Sequence, residues 1–357
     1  MVSVCENKKG RFLPKSFDVA HRLCFVIHDV MCQIITSGEE GNFFTTTIEL
    51  KNKNEREALN NIDDFFALLE SEERFEDRAE ILRTVVLPAV LSDMMHCIFE
   101  SLESSRKAKL GVSYMLIRKP LQESLYLLES VVLDESDFAK KLVEDPLKLR
   151  PSNAGGVEDH GRRIKKVLEI ISETPRLDAD YIAQLRYDKK KEDSFDGACN
   201  HAMHLFTQHE AIRTENLNIN FIFSGWEEKI TQWSYFYSRL PYLLFYTHKM
   251  VEHIVERIVP TSQEYLDDIQ RRLSALIILW WEGIDEQYTC DQLMIFVKET
   301  ESWLKKHCKS AGHRIPNNKD LWRMSKTGAF PKENIFSVKA RALKYEARAA
   351  INKIYAN

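Results

Sequence analysis

Apolar side chains return every three to four positions through most of this chain, the spacing that gives a helix one buried stripe. In the stretch 16–36, Val19, Leu23, Val26, Ile27, Val30 and Ile34 define the first such stripe, and Gly38 is placed to stop it. The same reading predicts helices over 55–69, 75–102, 112–133, 136–143, 159–171 and 178–185. In the second half it predicts 195–208, 226–259, 262–286, 291–308 and 334–356, which makes twelve ranges for an expected array of about eleven helices. Two segments break the pattern. Residues 41–50 carry Phe43, Phe44 and three threonines and suit a short strand or an extended connector. Residues 216–223 alternate polar and apolar and suit a loop or short strand laid on the core.

Punctuation sharpens the picture. Pro120 and Pro241 fall inside long helical patterns, where the ring removes a donor and clashes with the preceding turn, so a kink or a fresh helix start is expected at each. Their surroundings match: Ser113, Tyr114, Arg118 and Pro120 have the spacing of Ser234, Tyr235, Arg239 and Pro241. Four identities are too few to establish a duplication. Pro146, Pro151, Gly155 and Gly156 make a compositional break and set the expected division into 1–150, 151–304 and a basic segment 305–357.

Only 12 glycines and 10 prolines occur in 357 residues, too few turn formers for an all-β fold, and with the periodicity they give an all-α, irregular multi-helix array. No Gly-rich phosphate loop or nucleophile elbow occurs, which argues against dinucleotide and P-loop folds, and no cofactor is expected. Seven scattered cysteines without a CxxC pair fit reduced thiols. The N-terminal residues lack an apolar signal region, and the apolar run 273–281 is far short of a bilayer span, so a cytoplasmic protein without a membrane role is expected.

Charge divides unevenly. The chain is net −4, but residues 305–357 hold 13 Lys and Arg against three acids, leaving the body strongly acidic. Lys339, Arg341, Lys344 and Arg348 recur at helical spacing, with Trp322 and Tyr345 as stacking aromatics, as a surface for RNA or DNA would require. The competing reading docks this segment on the acidic body, on a protein partner or on a second copy of the chain.

Three weaker constellations remain. Arg22 and His28 in the first helix have the spacing of a metal-independent RNA-cleaving pair. His201, His204 and His209, with Arg213, form the densest polar cluster; read as helix, His201 and His204 share a face, but no standard second ligand pair makes a metal site. Lys119 and Glu123 stand four apart beside Pro120, as an ion pair on one helix face.

The runs 118–129, 200–223 and 235–253 resemble segments of bacterial all-helical proteins of the HEPN-like type found in defence and toxin loci, over about half the chain. The resemblance implies a HEPN-like helical bundle and a ribonuclease or a degenerate relative that recognises nucleic acid without cutting it. Such ribonucleases carry Arg-x4-6-His late in the domain; here the match is Arg22 to His28, in the first helix. A protein-binding scaffold and a helical metalloenzyme are the other two function classes.

Overall fold

A computed structural model describes residues 12–50, 55, 66, 68–69, 73–259 and 261–355. Among these there is no strand, and the α-helices are α1 (Asp18–Glu40), α2 (Phe75–Arg106), α3 (Leu110–Lys119), α4 (Leu125–Leu133), α5 (Glu135–Glu144), α6 (Val157–Ile170) and α7 (Ala179–Tyr187), followed by α8 (Phe195–Met203), α9 (Trp226–Glu256), α10 (Gln263–Trp281), α11 (Asp291–Ser310), α12 (Asn318–Thr327) and α13 (Ile335–Tyr355). The all-α expectation therefore holds. The helix α12 escaped the sequence reading because its ten residues bury only Leu321 and Met324 as apolar anchors; its start is written instead in the Asn317–Asp320 capping box. The helix expected at 55–69 lies largely outside the described residues.

The first helix runs past Gly38 to Glu40, with Gly41 as its C-cap. Residues 41–50 are turn and connector, and 216–223 is a loop of turns, so neither becomes a strand. The helix predicted over 195–208 ends early, at Met203.

One buried cluster joins Leu13 to Val297. Leu23, Ile27 and Met31 of α1 meet Leu91, Met94 and Ile98 of α2 and Trp233, Phe236, Leu240 and Phe245 of α9. It crosses the 145–157 break, holding Leu128 and Phe138 on one side and Ile164, Val167 and Ile182 on the other. A second cluster, Ala275, Leu279, Leu304, Cys308, Leu321 and Met324, packs α11 and α12 on α10. Two helical segments, Lys15–Glu40 and Phe75–Arg106, are long and apolar enough to cross a bilayer by length and composition alone. Their buried residues, Leu23, Ile27 and Met31 in the first and Leu91, Met94 and Ile98 in the second, lie in the shared core.

The prolines behave differently. At Pro120 the α-helical ladder gives way to a π-helical turn, Pro120–Ser124, so the rod changes register there as expected. Helix α9 continues through Pro241 without a new start. The reason is tertiary: the ring deprives the Tyr237 carbonyl of its i+4 partner, and the indole nitrogen of Trp280 donates to that carbonyl at 2.7 Å. A third internal proline, Pro88 in α2, was not anticipated.

Candidate functional site

The basic segment is built as a helix docked on α10. Gly328 ends α12 in the left-handed conformation (φ 66°), and a Cβ there would lie 2.1 Å from Asp268 Oδ1, so both φ and space demand glycine. Asp268 is 2% exposed and collects three arginines: Arg271 at 2.8 Å, Arg272 at 2.7 Å and Arg341 at 3.3 Å. Arg271 and Arg341 also donate to the Gly328 carbonyl. Arg341 is further paired with Glu333, whose carboxyl is held low by Arg341 and the Phe330 amide against the opposing effect of burial. Around this knot the rings of Trp303, His307, Phe330 and His313 stack in a near-parallel column, with Arg271 4.2 Å above Phe330.

Two of the four predicted nucleic-acid cations are therefore engaged within the chain. Arg341 serves the Asp268 knot, and Lys344 reaches Glu264 at 2.8 Å, while the Tyr345 hydroxyl donates to the Glu264 carbonyl. Lys339 is exposed, and the side chain of Arg348 lies outside the described residues. Trp322 is exposed on α12, flanked at i−3 and i+4 by exposed Lys319 and Lys326, so the three share one outward helix face.

Arg22 and His28 do not converge. Six residues along a helix turn the side chain through about 240°. Arg22 donates to the Ser325 carbonyl of α12 at 3.1 Å, whereas His28 is buried with Phe25 and Phe99 and contacts Asp29 and Cys32.

The histidine cluster is likewise separated. His201 is on α8, His204 is its C-cap in extended conformation, and His209 lies in the following loop, so the shared helical face is lost. That loop is tied by Thr214 and Asn220: Asn220 donates to the His204 carbonyl at 2.9 Å and accepts from Thr214 at 2.9 Å. Arg213 is exposed on it. Among the described residues no group of three His, Cys, Asp or Glu is placed to hold a metal. Lys119 pairs with Asp93 of α2 at 2.7 Å rather than with Glu123, because the π turn between them destroys the i, i+4 register.

The sequence reading missed a polar cleft of about 1300 Å³ that begins at this π turn and takes in Glu123 and His209. On its wall Asp196, 4% exposed, accepts from Gln122 and from Asn200 at 2.8 Å and pairs with Arg118 at 3.4 Å. Beside it His160, 3% exposed, stacks on Tyr187 at 3.6 Å; its Nδ1 is buried without a partner, and burial, aided by Arg186, pushes the imidazole down to about 4. Beneath lies a fully buried Arg186–Glu129 pair, with the Tyr246 hydroxyl on the same carboxylate at 3.0 Å. Arg186 and Tyr187 also donate to the Leu121 and Gln122 carbonyls of the π turn.

The matched proline motifs meet here. Tyr114 and Tyr235 flank the ring of Phe195 at 5.5 and 6.1 Å, Arg118 holds Asp196, and Arg239 holds Asp193 at 2.8 Å. The sequence signal was the shared spacing, but the segment 193–196 that both motifs grip carries no complementary pattern. The fold and this geometry define an all-α helical array with a basic C-terminal lobe and a mixed-charge cleft. No family model, no curated protein and no solved structure matches the chain.

Proposed function

We propose that this protein is a nucleic-acid-associated helical protein that binds through the outer face of α12, in the HEPN-like setting suggested by the resemblance, and that it recognises rather than cuts. The observation that carries the reading is the face Lys319, Trp322 and Lys326: an exposed indole between two exposed lysines that form no ion pair among the described residues. Cations there can neutralise phosphates while the ring stacks a base, the combination that suits a single strand. Arg22 and His28, facing different helices, offer a phosphate no common position.

Fluorescence anisotropy of single-stranded RNA and DNA against a salt series tests this. Changing Lys319 and Lys326 to Gln together should weaken binding and flatten the salt slope by about one to two. Trp322→Ala should cost about 1–3 kcal/mol of binding. A parent protein that fails to bind either oligonucleotide at low salt sinks the reading.

A second reading, docking on a protein partner or another copy, is favoured by Phe336, 80% exposed, and Leu343, 64% exposed, seven residues apart on one face of α13. Concentration-dependent mass from light scattering, lost in Phe336→Ser, would support it.

A further inference from the structure

A second concavity, chemically unlike the polar cleft, opens where the C-terminal ends of α1 and α9 meet the start of α10. Its shape begins with two glycines. A Cβ at Gly38 would lie 2.3 Å from the Phe44 ring, and one at Gly41 would lie 2.4 Å from Phe43, so the bare backbone lets both rings fold back onto the end of α1. Tyr265 of α10 and Tyr345 of α13 stand edge to face at 5.7 Å and complete the aromatic lining. The groove holds about 490 Å³, within the range of ligand sites of roughly 300–1,000 Å³.

Its charged groups have one sign. Among the described residues no lysine or arginine lines it, whereas Glu252 and Glu256 do. Glu256 is exposed at the rim and forms no ion pair among the described residues. At the same wall the buried His248 places its Nε2 3.3 Å from the Glu252 carboxylate. Glu252 is held by this His248 and by Lys249, from outside the groove, at 2.9 Å, so most of its charge is compensated and the Glu256 carboxylate carries the net charge.

We infer that this groove binds a lipophilic organic cation, its apolar body against Phe43, Phe44, Tyr265 and Tyr345 and its charge toward Glu256. Ring faces attract cations through their quadrupole, most strongly where water is excluded. A large cation with diffuse charge loses little hydration on entry, and its apolar surface is buried at the same time. An anion of the same shape would meet the uncompensated Glu256 carboxylate with no lysine or arginine among the described lining residues to offset it, so the site discriminates by sign. This inference does not depend on the nucleic-acid reading.

Calorimetric titration of the full chain with tetraphenylphosphonium and, separately, with tetraphenylborate tests it, since the two ions are nearly isosteric and opposite in charge. The phosphonium should bind at one site per chain, at least about tenfold more tightly than the borate, a difference of roughly 1.4 kcal/mol. Glu256→Lys should weaken the phosphonium about tenfold and narrow or reverse the preference, with Glu256→Gln intermediate. Phe44→Leu, which keeps an apolar side chain but removes the ring, should weaken it about threefold to tenfold. Circular dichroism establishes that each variant is folded, and Glu256, being exposed, can be changed without disturbing the core. Equal affinity for the two ions, no phosphonium binding, or indifference to both Glu256 variants would overturn the inference.

Discussion

The indole nitrogen of Trp280 in α10 donates to the carbonyl of Tyr237 in α9 at 2.7 Å, filling the acceptor that Pro241 leaves open four residues later. Trp280 is 2% exposed, so that carbonyl has no water to turn to. Trp280→Phe should therefore lower stability by about 1–3 kcal/mol through the unsatisfied carbonyl, in addition to the loss of ring volume. With Pro241→Ala in the background, the restored amide takes over the carbonyl and the cost should shrink. A double-mutant cycle by urea denaturation isolates this coupling; additive effects would show that the indole does not stand in for the missing amide.

The docking of α13 on α10 yields an opposite pair of outcomes for two kinds of cation. Arg341→Gln strands part of the charge of buried Asp268 and should lower stability by about 1–3 kcal/mol, while leaving the salt slope of nucleic-acid binding unchanged. Changing Lys319 and Lys326 should do the reverse. Thermal melts and anisotropy on the same preparations separate them, and a flattened salt slope in Arg341→Gln would return α13 to the interface.

Both partners of the Arg186–Glu129 pair are fully buried. Glu129→Gln leaves the guanidinium uncompensated in a low-dielectric interior and should destabilise the protein by about 3–5 kcal/mol. Arg186→Met with Glu129→Leu together should cost less than the single change, because the cation that remains, Arg163, is only part-buried and keeps the Tyr126 carbonyl and Ser130 hydroxyl as acceptors. Chemical denaturation of the parent and the two variants gives the comparison.

His160 supplies a pH dependence. Its imidazole is held at about 4, against 6.5 for an unperturbed histidine, so between those values the unfolded chain binds a proton that the folded chain refuses. Stability should therefore be complete above about pH 6.5, fall as the pH drops toward 4, and level off below it. His160→Phe, which keeps the stack on Tyr187 and removes the titrating group, should flatten this part of the profile. Urea midpoints at pH 7 and pH 5 measure it; identical pH profiles for parent and variant would exclude His160 as the source.

Helicity was readable from the sequence because a 3.6-residue apolar period is a local property, and α1, α9, α10 and α11 follow it closely. The charge division was readable too, since counting needs no geometry. Where a helix ends was less so: Gly38 reads as a stop, yet it lies inside α1 because its missing Cβ serves the Phe44 ring. Only the tertiary structure decided which cations remain free. Arg341 and Lys339 are alike in sequence, but Asp268, far earlier and itself unremarkable in the chain, claims one and leaves the other in solvent. The same holds for Pro241, whose effect was set by a tryptophan on another helix, and for the cleft, whose wall joins residues from α3, the π turn, α6 and α8. Pairing between distant residues depends on where the packed core brings them, and the pattern along the chain carries that information only collectively.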